Sequence, residues 1–220
     1  MSSCCQPNRC LEGTNRFFSR WSKSYARRFR KGKLENVQKY LLEGVRKEPI
    51  QSSEILDIGC GIGSLHLTLL KEGAAKATGV DIAEGMISQA QKFSERLGLN
   101  EKTEYVLGDF VELAEQVRSA DITLLDKVVC CYEHVDKLVK ESAEKTRRVY
   151  ALSHPRQSFP VKFVFQTHIF LSKLFRAKFH PFWHDWQDVR ELITAQGFKL
   201  IYENSTIVWQ VAVYRREVHS

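Results

Sequence analysis

The sequence predicts an α/β fold: a doubly wound, mostly parallel seven-stranded sheet closed by an antiparallel last strand. Three observations carry that prediction. Short apolar runs alternate with helical stretches from residue 51 onward, a glycine-rich turn follows the first run, and only Asn204 and Ser205 separate the last two runs.

Residues 1–50 read as a helical element ahead of the sheet. After a tail bearing Cys4, Cys5 and Cys10, the stretch from Arg16 to Lys33 repeats Phe17, Trp21, Tyr25 and Phe29 every four residues among eight basic side chains. That period predicts a helix with one aromatic stripe and a cationic remainder. A second helix is expected from Leu34 to Lys47, stopped by Pro49. The stripe is expected to close over a ligand as a lid; a patch for an acidic substrate and an amphipathic membrane contact are the other readings of the same residues.

From residue 51 to 220 the strands are expected at Glu54 to Ile58, Ala77 to Val80, Thr103 to Leu107, Ile122 to Leu125, Val149 to Ser153, Lys199 to Glu203 and Thr206 to Tyr214. Helices follow each of the first four, which makes the sheet parallel with both faces covered. A helix is expected from Asp188 to Gln196. The stretch from about 157 to 186, rich in Phe, His and Trp, is too long for a plain connection and is expected to fold over the site.

Composition narrows the class further. At 220 residues and 43% hydrophobic, the chain suffices for one sizeable core. Its apolar runs fall short of the roughly 18 residues that a spanning helix needs. The amino terminus lacks the apolar centre of a secretory signal, so a cytoplasmic protein with reduced cysteines is expected. Of the charges, residues 1–50 hold 12 Lys/Arg and 4 Asp/Glu, whereas the other 170 hold 21 and 22. Positive charge confined to one element argues against a general nucleic-acid surface, and no nucleic-acid partner is expected.

The run Asp57-Ile58-Gly59-Cys60-Gly61-Ile62-Gly63 stands directly between the first strand and a helix. Glycines there let the backbone approach a ligand and leave helix amides pointing at it. A dinucleotide site would have to accept a pyrophosphate, which Asp57 would repel; the spacing is also GxGxG and not GxGxxG. An acid at that point suits the cationic amino-acid end of S-adenosylmethionine (SAM). Asp81 ends the second strand, 22 residues beyond Gly59, placed for ribose hydroxyls, and Gly108-Asp109-Phe110 ends the third, placed for adenine. Any one of these acids has an alternative as a cap or turn residue; three at successive strand ends favour the ligand.

With these motifs the chain resembles the class I SAM-dependent methyltransferases, which are Rossmann-like, over about residues 53–215. CGIGSLHLTLLKEGA and GVDIAEGMISQAQ look most like the small-molecule branch, including magnesium-protoporphyrin O-methyltransferases and quinone-biosynthesis methyltransferases. The resemblance implies SAM as cofactor. It places Asp57, Gly59, Gly61 and Gly63 around the methionine part, Asp81 at the ribose, and Asp109 and Phe110 at the adenine; Cys60, Ile82, Met86 and Asp126 are further candidates for cofactor contact, with a structural role as the other reading of Cys60. The activity implied is transfer of a methyl group to a small-molecule acceptor, an anionic one suiting the basic helix.

Transfer from a sulfonium is an in-line displacement, so alignment in a dry pocket supplies much of the rate. A hydroxyl or amine acceptor also needs a proton taken away, most often by histidine. Tyr132 and His134 after the fourth strand, His154 after the fifth and Tyr25 on the basic helix are the candidate catalytic or orienting groups; packing or capping is the other reading of each. Cys130 and Cys131 admit a thiol or metalloid methyltransferase, alone or with Cys4, Cys5 and Cys10, but CC-x₄-C lacks a second zinc-like half and no metal is expected. A module that binds SAM without catalysis is the remaining alternative.

Overall fold

The computed structural model describes residues 7–175, 177, 179 and 181–217, with side chains from residue 13 onward. The tail residues Cys4 and Cys5, the side chain of Cys10, and His180 lie outside the described residues.

Seven strands, β1 (Glu54–Ile58), β2 (Lys76–Asp81), β3 (Thr103–Leu107), β4 (Ala120–Asp126), β5 (Thr146–Pro155), β6 (Phe198–Ser205) and β7 (Trp209–Arg216), form one sheet in the order β3-β2-β1-β4-β5-β7-β6. The first five are parallel; β7 inserts antiparallel between β5 and β6. The order reverses between β1 and β4, the switch point where such sheets open a crevice at their carboxyl ends.

Strand residues alternate between two cores. Ile55, Ile122, Leu124, Val149 and Ala151 point to one face, where α1 (Pro7–Arg30), α2 (Asn36–Val45), α3 (Ser64–Lys71) and α4 (Glu84–Arg96) contribute Ala26, Leu41, Leu67 and Phe93. Leu56, Ile58, Leu125, Tyr150 and Leu152 point to the other, against α5 (Phe110–Leu113), α6 (Val135–Glu144) and α8 (Trp186–Ala195). Apolar residues on both sides are what a covered parallel sheet requires.

Three expectations are corrected in detail. In the closing hairpin, β7 starts at Trp209, not Thr206: Asn204 and Ser205 pair with Val211 and Gln210, and the turn is Thr206–Val208, closed by Thr206 N–H donating to Trp209 O at 2.8 Å. Ile207 and Val208 carry strand-like side chains yet sit at an exposed tip. On α1, which already begins at Pro7, the inward face is Phe18, Ser22, Ala26 and Phe29, while Phe17 and Trp21 face outward at 44% and 51% exposure. Steps of four residues drift by about 40° around a 3.6-residue helix, so the four rings do not share a face.

The small Ser22 and Ala26 let α1 lie close on α4. There Asn15 Oδ1 accepts Glu84 N–H at 3.3 Å and Ser19 Oγ accepts Gly85 N–H at 3.0 Å. The N-cap residue of α4, Ala83, offers no side-chain acceptor, so α1 supplies acceptors to free amides at that end. In the stretch after β5, α7 (Phe159–Leu174) lies on the outside, and the return segment crosses toward β4, with Phe182 N–H donating to Cys130 O at 2.7 Å.

Candidate active site

The carboxyl ends of β1, β2, β3 and β4 open into one cavity of about 520 Å³, inside the range of about 300–1,000 Å³ usual for small-molecule sites. Asp57, Gly59, Cys60, Gly61, Asp81, Ile82, Met86, Asp109, Phe110 and Asp126 all line it, as do Tyr25, Tyr132 and His134. Gly63 stands behind the wall as the N-cap of α3, with φ +82°. His154 is not brought to the cavity: it is buried, stacks on Trp186 at 4.6 Å, and donates through Nδ1 to Pro155 O at 2.9 Å. Burial lowers its pKa to about 4, which keeps it neutral.

Each acid is held differently. Asp57 is buried, and its Oδ2 accepts from His66 Nδ1 at 2.7 Å; His66 Nε2 lies 3.1 Å from the Tyr105 hydroxyl. Asp81 accepts the Gly61 N–H on Oδ2 and the Ala83 N–H on Oδ1, both at 2.8 Å, and burial pushes its pKa up to about 6. Asp109 caps α5 through Val111 N–H at 2.9 Å and accepts the Tyr132 hydroxyl at 2.9 Å on Oδ2. That bond fixes Tyr132 on the β3 side of the cavity, and burial followed by the Asp109 charge pushes its pKa well up, away from the range of a base.

The turn joining Asp57 to α3 is built from left-handed backbone. Gly59 has φ +64°, and a Cβ there would lie 2.4 Å from Val128 Cγ2; Gly61 has φ +54° and a Cβ there would meet nothing within 4 Å. Gly59 therefore serves packing, whereas the space beside Gly61 belongs to the cavity.

On the opposite wall, several residues that sequence reasoning did not single out converge. Gln38 of α2 donates to Asp126 Oδ2 at 3.2 Å and to Ser64 Oγ at 3.1 Å, and Ser153 donates to Asp126 Oδ1 at 2.7 Å. Lys127, held at φ +61°, pairs with Glu35, which also takes Arg28 at 2.9 Å. Tyr25 borders this group; burial raises its pKa and Lys127 draws it back. His134 occupies the N-cap position of α6 at the cavity edge, without a side-chain capping bond, and Phe18 and Phe182 also line the cavity. Only the Asp126-Lys127 part of this network had a local signal, its place at a strand end.

Cys130 is buried, with its thiol directed at Lys127 O at 3.5 Å and its pKa raised by the neighbouring Cys131 thiol and by burial. Cys131 lines the cavity and donates to the same carbonyl at 3.2 Å. His184 Nε2 donates to Tyr132 O at 2.8 Å, and His168 is exposed on α7. Among the described residues no group of three or more His, Cys, Asp or Glu is placed to hold a metal ion, and no helix is long and apolar enough to cross a membrane.

A family model described as a methyltransferase domain matches residues 55–151, from the first core residue of β1 to the middle of β5. Over the whole fold, the chain is similar to magnesium protoporphyrin IX methyltransferase from Synechocystis, solved with bound S-adenosylhomocysteine (SAH): TM-score 0.66, 21% identity, covering 90% of this chain and 96% of that one. Among curated proteins it is similar to a sterol 24-C-methyltransferase of Gibberella zeae, 32% identical over 34% of this chain and 19% of that protein. It is also similar to a ribosomal protein L11 methyltransferase of Klebsiella pneumoniae, 40% identical over 26% of this chain and 20% of that protein. The matched part spans about a fifth of those two relatives. The structural likeness establishes a Rossmann-like fold.

Proposed function

We propose that the chain is a SAM-dependent methyltransferase acting on a small-molecule acceptor. The observation that carries the reading is the arrangement of Asp57, Asp81 and Asp109 at three successive strand ends around one cavity that the Gly59–Ile62 turn lines. The residues fit such a cofactor. Space beside Gly61 admits a ligand against the backbone, and each Asp81 oxygen keeps acceptor capacity beyond its single amide.

When bound, SAM supplies an activated methyl group on a sulfonium. Asp57 would meet the cationic amino-acid end, Asp81 would accept ribose hydroxyls, and Asp109 with Phe110 would hold the adenine. Tyr25, Phe18 and Phe182 wall the remaining space, exclude water and align the acceptor. His134, at the cavity edge, takes the proton from a hydroxyl or amine acceptor. Lys127 gives an anionic acceptor a positive neighbour, although Glu35 already shares that charge.

The small-molecule reading draws on the structural neighbours and the sterol enzyme. Burial of the Cys130 thiol weighs against its use as a methyl acceptor or metalloid ligand. The test is titration calorimetry with SAH, with NAD as control, followed by turnover of SAM to SAH with a metabolite pool. Binding of SAH with turnover supports the enzyme; binding without turnover across acceptor classes supports the non-catalytic module; selective binding of NAD overturns both.

A further inference from the structure

Helix α7 inverts the ordinary pattern of a surface helix. Its inward stripe is thin: Val161 and Ser172 are buried, and Phe165 sits edge-on to Trp183 and Trp209 at 5.8 and 6.2 Å. Around the rest of it, Phe159, Phe163, Val164, Phe170, Leu174 and Phe175 are each between 62% and 83% exposed. An apolar patch of that extent marks a contact surface.

The charge around the patch selects the partner. From Arg156 to His184 the sequence holds five Lys/Arg and no Asp/Glu, and from Gly13 to Leu34 it holds eight Lys/Arg and no Asp/Glu. The two acid-free stretches touch, since Phe17 of α1 stacks on Phe179 with centroids 4.9 Å apart and Phe18 meets the same ring edge-on at 5.2 Å. On α1, Phe17 and Trp21 are exposed beside exposed Arg16 and Arg20.

We infer that this face docks on a lipid surface bearing anionic phospholipid headgroups, with the α7 side chains at the acyl boundary and the α1 cations among the phosphates. A second copy of the chain would set two cationic faces against each other. A nucleic acid would satisfy the cations and leave Val164 and Leu174 without apolar cover. A lipid interface offers both. Phe18, which Phe179 touches, also lines the cavity, so the docked face adjoins the cavity wall.

Vesicle co-sedimentation of the full chain tests this, comparing phosphatidylcholine alone with phosphatidylcholine plus phosphatidylglycerol. The expected result is binding roughly tenfold or more tighter to the anionic vesicles, weakened by added salt. The double substitution Phe163→Glu with Phe170→Glu should lose that binding while SAH affinity, read by calorimetry, stays unchanged. Arg16→Glu with Arg20→Glu should flatten the salt dependence. The proposal is overturned by absence of binding to anionic vesicles, by equal binding of the Phe163/Phe170 variant, or by a wild-type dimer that this variant converts to monomer without any vesicle binding.

Discussion

His66 Nδ1 lies 2.7 Å from Asp57 Oδ2, with both side chains shut off from solvent. A carboxylate at the end of β1 is thereby aimed by a residue one turn into the following helix, and Tyr105 on β3 holds the far side of the ring. Replacing His66 by Phe keeps a ring and removes the donor. The lost bond to a charged group costs about 1.5–3 kcal/mol, and Tm should fall by about 3–12 °C. SAH affinity should fall with it, because Asp57 loses its orientation. Tyr105→Phe should be milder, at about 1 kcal/mol. Thermal melts and calorimetry on both variants check this; two variants indistinguishable from wild type would show that the pair does not position Asp57.

Asp81 is expected to make SAH binding depend on pH. Its pKa is pushed up to about 6, against about 3.9 for a free aspartate. Between those values the folded chain keeps a proton that the unfolded chain has released. Folding therefore becomes less favourable as pH rises through the window, by about 3 kcal/mol in all once pH passes 6. Ribose hydroxyls donate to the ionised form, so SAH affinity should rise about tenfold per unit up to pH 6 and level off above it. The buried Asp126, also raised, acts in the same direction on stability. Calorimetry from about pH 5 to pH 8 reads the slope. A slope that persists in Asp81→Asn would assign the titration elsewhere.

The two glycines of the turn should answer differently to the same substitution. Gly59→Ala drives a methyl into Val128 and so disturbs the chain leaving β4; it should lower Tm and shift the segment that carries Cys131 and Tyr132. Gly61→Ala meets no atom and pays only the left-handed backbone strain of about 1–2 kcal/mol. It should fold and lose SAH affinity by more than about tenfold, since the added methyl occupies cofactor space. A folded Gly61→Ala protein that binds SAH as well as wild type would place the cofactor elsewhere.

What the sequence made legible is what local pattern encodes. The limits of β1 and β3, Glu54–Ile58 and Thr103–Leu107, match the expected ones because each is a short apolar run cut off by a turn or a polar residue. The Gly59–Gly63 turn was equally local. The partners of the acids were not, because they come from afar: Gln38 reaches Asp126 across 88 residues and Lys127 reaches Glu35 across 92. On α1 the aromatic side chains drew attention, yet close packing on α4 selects the small Ser22 and Ala26. The exposed apolar face of α7 contradicts the rule that apolar side chains turn inward, so periodicity alone had no means of finding it.

The last prediction concerns α1 as a closing element. Asn15 and Ser19 bond the first amides of α4, one and two residues beyond the Ala83 amide that Asp81 accepts, while Phe18 and Tyr25 reach the cavity from the same helix. A ligand that binds Asp81 and packs against Met86 therefore stiffens the surface on which α1 rests, and α1 in turn shields the ligand from water. Hydrogen exchange across Arg16 to Lys33 should slow when SAH is added, and Ser19→Ala should reduce that protection without unfolding the sheet. Deleting residues 1–33 uncovers Phe93, the partner of Phe29 at 4.9 Å, and should leave a less stable core that binds SAH weakly and has lost transfer. Tyr25→Phe removes one hydroxyl and should lower turnover with little change in Tm. Exchange across α1 that is the same with and without SAH would make the helix a static brace, and Tyr25→Phe should then affect nothing but local packing.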